Sequence, residues 1–282
     1  MTTTPLLGKT VVVTGASSGI GLHTATGLAR LGAAVALVAR DRAKGEAALA
    51  EARRVSGGGA ASLFLADLGA LAEVRHLAVE LLATLPRIDV LVNNAGAMHA
   101  TRKVSADGYE LTFAVNHLAP FLLTRLLLPR LRASAPARVV TVSSEAHRMG
   151  PLDPDDLQAE RRYSAMRAYG RSKLANVLFS NALARREAGT RVTSNSLHPG
   201  TVATGFGRND PGWFRVLVTL GRPFLATPEQ GARTPIYVAS SPEVAGVTGR
   251  YFKDRRAIAP ARFALDEGVQ ERLWELSERL VA

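Results

Sequence analysis

The chain has 282 residues, 47% of them hydrophobic, which is enough apolar content for one large α/β domain or two small ones. Cysteine is absent, which excludes disulfides, a thiolate metal site and a cysteine nucleophile. The formal charge is +11, yet the arginines are scattered along the chain and no nucleic-acid motif accompanies them. Nucleic-acid partners are therefore not expected, and attraction of an anionic cofactor is the milder use of that charge.

The first residues, Met1-Thr2-Thr3-Thr4-Pro5, lack the charged-then-apolar pattern of a signal peptide. Lys9-Thr10-Val11-Val12-Val13 then reads as a buried parallel strand. Thr14-Gly15-Ala16-Ser17-Ser18-Gly19-Ile20-Gly21 follows, and apolar residues at helical spacing begin at Leu22. Glycines at a strand-to-helix turn let an anion approach the free N–H groups and the positive end of the helix. The G-x-x-x-G-x-G spacing also fits a merely tight connection. In addition, Gly15 to Gly19 match the G-x-S-x-G nucleophile elbow of hydrolases, with Ser17 as nucleophile.

Further strands are expected at 33–39, 61–65, 88–93, 138–143, 191–197 and 250–252, after the first at 9–14. Helices are expected at 19–31, 42–55, 71–85, 107–131, 165–188 and 228–239. Such alternation predicts an α/β fold: one doubly wound, Rossmann-type domain over 1–282, with a seven-stranded parallel sheet and helices on both faces. The apolar stretch 118–128 is interrupted by Pro120, Thr124 and Arg125. A membrane anchor is therefore not expected, and a cytoplasmic location is.

Ligands of open parallel sheets bind beyond the C-terminal strand ends. Arg40 follows the second strand, where a basic side chain suits the 2′-phosphate of NADP; Asp41 reads as the N-cap of the next helix. Asp67 follows the third strand and could contact adenine or cap a helix. Asn93-Asn94-Ala95-Gly96, Ser143-Ser144 and His198-Pro199-Gly200 follow the fourth, fifth and sixth. Tyr169 and Lys173, at i and i+4, share a face of the helix after the fifth strand. An ammonium beside a phenol lowers the phenol pKa and makes it a usable acid/base. The histidines show no metal-ligand spacing, so no metal is expected.

Together these residues resemble the short-chain dehydrogenase/reductase family, from about residue 9 to 252. Within it, Ala39-Arg40-Asp41-Arg42, Ser143-Ser144-Glu145-Ala146-His147, Ser172-Lys173-Leu174-Ala175-Asn176 and His198-Pro199-Gly200-Thr201-Val202 resemble retinol dehydrogenase-like and WW-domain oxidoreductase-like members. The resemblance implies hydride transfer between a nicotinamide, NADP(H) rather than NAD(H), and a small carbonyl or alcohol substrate, apolar in that subgroup. Tyr169 would be the acid/base, Lys173 would tune it, Ser144 would polarise the substrate oxygen, and Asn116 would hold a relay water through its carbonyl. The second of the paired serines, Ser144, is the one the family pattern selects. The cofactor would touch Gly15, Ser17, Ser18, Gly19, Ile20, Gly21, Arg40, Asp67, Leu68, Asn94, Ala95, Gly96, Tyr169, Lys173, Pro199, Gly200, Thr201, Val202 and Thr204.

Residues 204–225 carry Phe206, Trp213, Phe214 and Leu217, and would cover the substrate or pack as an amphipathic helix. Family members often pair through the long helices, which implies a homodimer. His147 reads as a loop histidine. Two rival readings remain: a catalytically silent NADP-binding regulator, and a hydrolase using Ser17 with His198.

Overall fold

The computed structural model describes residues 5–153, 156–200 and 226–282. Its sheet runs β3-β2-β1-β4-β5-β6-β7-β8. The strands are β1 (Thr10–Thr14), β2 (Ala34–Ala39), β3 (Ala61–Leu65), β4 (Val90–Asn93), β5 (Ala137–Val142), β6 (Val192–His198), β7 (Tyr251–Lys253) and β8 (Arg256–Ile258). Strands β1 to β7 pair in parallel, as the alternation predicts. The eighth strand is an addition: β8 returns antiparallel to β7 at the sheet edge. Asp254 and Arg255, at φ +49 and +63, make the two-residue turn between them. That turn usually carries Asn-Gly or Asp-Gly, so Asp-Arg gave no hairpin signal.

Because successive strand residues point to opposite faces, the valine runs feed two cores. Val11, Val13, Val90, Val92, Val140 and Val142 pack against α1 (Gly19–Arg30), α2 (Arg42–Val55) and the helix Pro228–Ser240. Val12, Leu91 and Val139 lie in the other core, with α3 (Leu71–Thr84), α4 (Leu111–Ala133) and α5 (Ala165–Arg186). Pro228–Ser240 is α6. Thr227 and Gln230 form a reciprocal capping box at its start. Between β1 and β4 the strand order reverses, which is the switch point where open α/β sheets take their ligands.

The helix expected over 107–131 begins later, at Leu111. Upstream carboxylates serve as caps: Glu110 accepts from Thr112 and Phe113 N–H, each at 2.8 Å, and Asp107 accepts from Leu71 N–H at 2.9 Å. A π-helical turn, Ala114–Leu118, sits inside α4. By length and composition α4 could cross a membrane, and its apolar stretch is longer than 118–128, but 72% of its apolar window is buried within the protein.

A last helix, α7 (Glu267–Leu280), was not anticipated; Asp266 caps it by accepting from Val269 N–H at 3.0 Å. It lies across α4 and α5. Trp274 stacks on Phe179 with ring centroids 5.9 Å apart and meets Phe121 edge-on at 5.0 Å. The Arg186 guanidinium covers its ring at 4.4 Å, and Arg125 pairs with Glu278 at 3.2 Å. With α7 in place, α5 is buried on almost every side from Ser172 to Ala184. The C-terminal helix thus covers the middle of α5 and one side of α4, while Arg125, Pro129 and Arg132 of α4 and Met166 of α5 stay exposed.

Candidate active site

The glycine turn is built by close approach. Gly15 has φ +65, and a Cβ there would lie 2.9 Å from the Ala95 Cα. A Cβ on Gly21 would fall 2.2 Å from the Gly15 carbonyl oxygen, so only glycine lets α1 start this near the end of β1. Asn94 closes the turn from β4, donating through Nδ2 to the Thr14 carbonyl at 2.8 Å. Thr14 Oγ1 accepts from the N–H groups of Asn94 and Ala95, at 3.0 and 3.1 Å. Asn94 and Ala95 are thus the wall of the turn, at the switch point of the sheet. Ser18 occupies the N-cap of α1 without a side-chain cap bond, and a Cβ on Gly19 would meet no protein atom within 4 Å. Ser17, Ser18, Gly19 and Ile20 therefore ring an open helix N-terminus that fits an anionic group such as a pyrophosphate.

Arg40 leaves the end of β2 into solvent, and Asp41 caps α2 as expected, accepting from Lys44 N–H at 2.9 Å. Asp67 does not cap α3, whose first N–H is taken by Asp107. It accepts instead from Gly69 N–H at 2.9 Å, and its other oxygen stands 4.0 Å from Arg40. Leu68 is half-buried against the core.

On the other side of the switch point, β5 and α5 are clasped together. Ser143 Oγ donates to the Lys173 carbonyl at 2.6 Å. Lys173 Nζ and Asn176 Nδ2 both donate to the Val142 carbonyl, at 3.1 and 3.2 Å. The clasp sets α5 in register with the strand end, so that the Ser144 hydroxyl comes to the Tyr169 phenol and pulls its pKa down. It also separates the two serines. Ser143 is buried and committed to a main-chain carbonyl, whereas Ser144 Oγ accepts from Ala146 N–H at 3.2 Å and faces the phenol.

Asn116 is fully buried in the π-helical turn. Its role was expected of the main-chain carbonyl; its side chain has work of its own. Oδ1 accepts from Ala97 N–H at 2.6 Å, and Nδ2 donates to the Ala97 carbonyl and to Ser172 Oγ, each at 2.9 Å. Ser172 Oγ in turn donates to the Tyr169 carbonyl at 2.7 Å. This line ties the loop after β4 to the first turns of α5. Ser172 and Asn176 were not singled out as site residues. Their signal was small polar side chains at i+3 and i+7 from Tyr169, on its side of the helix.

Charge follows burial here. Desolvation pushes the Tyr169 phenol up to about 12, against the pull of the Ser144 hydrogen bond. This reverses the expected downward shift. Burial likewise pushes Lys173 down to about 8, with its Nζ 5.5 Å from the Tyr169 ring centroid. Near neutrality the phenol keeps its proton and the amine is still mostly an ammonium. The pair is therefore an acid backed by a cation. Gly96 lets the loop after β4 pass close to that cation; a Cβ there would lie 3.3 Å from Nζ.

His198, Pro199 and Gly200 end β6 on the same rim. Two strands, β4 and β5, separate it from β1. At the usual strand spacing β1 and β6 are about 14 Å apart, which sets the turn carrying Ser17 well away from the strand end carrying His198. Thr201, Val202, Thr204 and the proposed covering segment 204–225 lie outside the described residues. Among the described residues no group of histidine and carboxylate side chains could hold a metal ion.

Residues 9–213 match the family model for short chain dehydrogenases. The chain is 47% identical to human retinol dehydrogenase 14, over 97% of its own length and 86% of that protein. Its fold is similar to the crystal structure of an uncharacterised protein from Mycobacterium paratuberculosis, with TM-score 0.79 and 37% identity, covering 98% of this chain and 94% of that one. It is also similar to the NADP complex of RhlG from Pseudomonas aeruginosa, with TM-score 0.69 and 31% identity, covering 94% and 100%. With the glycine turn, Ser144, Tyr169 and Lys173 on one rim, and with these likenesses, the chain is an oxidoreductase of the short-chain dehydrogenase/reductase family, among its retinol dehydrogenase-like members.

Proposed function

We propose that this chain transfers hydride between NADP(H) and the carbonyl or alcohol carbon of a small apolar substrate. The observation that carries the reading is the placing of Ser144 and Tyr169 together at the end of β5, with the buried Lys173 Nζ 5.5 Å from the phenol ring centroid. Bound NADPH would supply the hydride. The protein's share is the proton and the orientation. Ser144 holds the substrate oxygen, and Tyr169 gives that oxygen its proton as negative charge develops there. Lys173 offers positive charge at the same place.

Support for the NADP preference comes from Arg40, a cation at the end of β2 where the ribose of a dinucleotide lies. The chain's solved relative from Pseudomonas aeruginosa holds NADP. Support for an apolar substrate comes from the retinol dehydrogenase relative and from Met149. This exposed methionine packs beside Gly170, next to Tyr169.

The test follows NADPH oxidation across aldehydes and ketones of rising apolarity, with NADH alongside and Tyr169→Phe as control. Expected are turnover that rises with apolarity, preference for NADPH, and a Tyr169→Phe variant that binds NADPH without turnover. Substantial turnover by that variant would overturn the assignment of Tyr169. NADPH binding with no turnover on any substrate would favour a silent regulator.

A further inference from the structure

His147 is fully buried in the 3-10 turn Glu145–Arg148, directly after Ser144. Both of its ring nitrogens meet main-chain groups whose roles are fixed. The Ala261 N–H can only donate, and it lies 3.1 Å from Nε2. The Ser144 carbonyl can only accept, and it lies 2.7 Å from Nδ1. One state of the ring satisfies both: Nε2 bare and the proton on Nδ1.

The rest of the turn is fastened in the same direction. The His147 ring lies against Tyr251 of β7 with centroids 4.7 Å apart, and the Tyr251 hydroxyl donates to Glu145 at 3.2 Å. Arg148 donates to the Ala259 carbonyl at 2.7 Å. Glu145 also pairs with Lys253 at 3.7 Å. Ser144 thus has its carbonyl held by His147 and its Oγ engaged by Ala146 N–H. The His147 main-chain N–H also donates to that carbonyl at 3.0 Å, so the turn engages Ser144 at both its backbone and its hydroxyl.

We infer that His147 is a positioning residue for Ser144: with its proton on Nδ1 it holds the Ser144 carbonyl, bridges it to the chain at Ala261, and so keeps the Ser144 hydroxyl aimed at Tyr169. This rests on the reductase reading of Ser144 and Tyr169. It gives a role to a buried histidine that the proposed chemistry does not otherwise use, and it makes the segment 259–261 part of the support of the site.

Three substitutions separate positioning from filling. His147→Phe keeps the ring against Tyr251 and loses both hydrogen bonds. His147→Gln can accept from Ala261 but cannot readily replace Nδ1–H. His147→Asn places an amide N–H near the position of Nδ1–H. We expect His147→Phe and His147→Gln to lower kcat by about ten- to hundredfold, in line with the cost of a misplaced catalytic group. NADPH affinity should stay unchanged, and His147→Asn should recover most of kcat. A His147→Phe variant with wild-type kcat, or His147→Asn as the poorest of the three, would overturn the inference. If the wild type shows no Tyr169-dependent turnover, the reductase reading has failed rather than this one. A second measurement does not depend on turnover or on the variants folding: long-range 15N–1H spectra of the wild-type histidines. The Nδ1–H form of His147 is expected, and the Nε2–H form would overturn the inference.

Discussion

Ser143 and Ser144 are adjacent and chemically identical, and only their partners tell them apart. One hydroxyl closes the β5–α5 clasp on the Lys173 carbonyl; the other faces a phenol. Tyr169 teaches the same lesson about charge. A neighbouring ammonium argues for a lowered pKa, but burial acts on the phenolate too, and here it prevails. Arg40 is the residue whose role is simplest to test. Its pairing with Asp67 is long, at 4.0 Å, and both side chains are exposed, so it adds little to stability. Arg40→Asp should therefore leave thermal unfolding unchanged. It should lower the ratio of kcat/KM for NADPH over NADH by about tenfold or more, through loss of a charge-assisted phosphate contact. An unchanged ratio would make Arg40 a solvated surface arginine.

Among the elements, β1, α1 and β4 form one unit. The turn after β1 is pressed between the start of α1 and the loop after β4, with Gly21 where the approach is tightest. Its missing side chain is a packing requirement, because the atom it would strike is the Gly15 backbone oxygen. Gly21→Ala must push α1 away from the turn. We expect it to cost about 1–3 kcal/mol of stability, as overpacking does, and to weaken NADPH binding by moving the helix N-terminus. Thermal unfolding with and without NADPH reads both effects. A variant with wild-type Tm and wild-type NADPH affinity would show that the turn yields easily. The π-helical turn in α4 is a second local device. It lies where Asn116 reaches Ala97 on one side and Ser172 on the other, so that α4, the loop after β4 and α5 are held together by one side chain.

At the scale of the whole molecule, the C-terminal helix changes what the surface offers. From Ser172 to Ala184 every residue of α5 is buried, the polar Ser172, Lys173, Asn176, Ser180 and Asn181 among them, so this stretch needs cover on all sides. Here α5 meets that demand within one chain, through the sheet, α4 and α7. The stretch from Ser172 to Ala184 is thereby withdrawn from the surface, and what the long helices still expose is Arg125, Pro129 and Arg132 of α4 and the first turn of α5. We expect gel filtration with light scattering to return the 29.9 kDa monomer. A dimer that falls apart on replacing Arg125 and Pro129, exposed on α4, would overturn this expectation and place the contact on the long helices.

What the sequence determined by itself is what short-range pattern encodes. The β-branched runs mark the parallel strands, and the glycine spacing marks the anion-binding turn. Tyr169 and Lys173 meet because four residues make about one helical turn. Everything that depends on a distant partner waits for the folded chain. Asp67 lost the cap of α3 to Asp107, and the exposed three-residue β8 exists because β7 is beside it. Ser144 was separated from Ser143 by α5, and α7 found its place through Phe121 and Phe179. His147 read as a loop residue because the group that fixes its ring, Ala261, is 114 residues away along the chain and 3.1 Å away in space. Local periodicity cannot carry that information, since hydrogen bonds and desolvation depend on which atoms are near after the chain has folded.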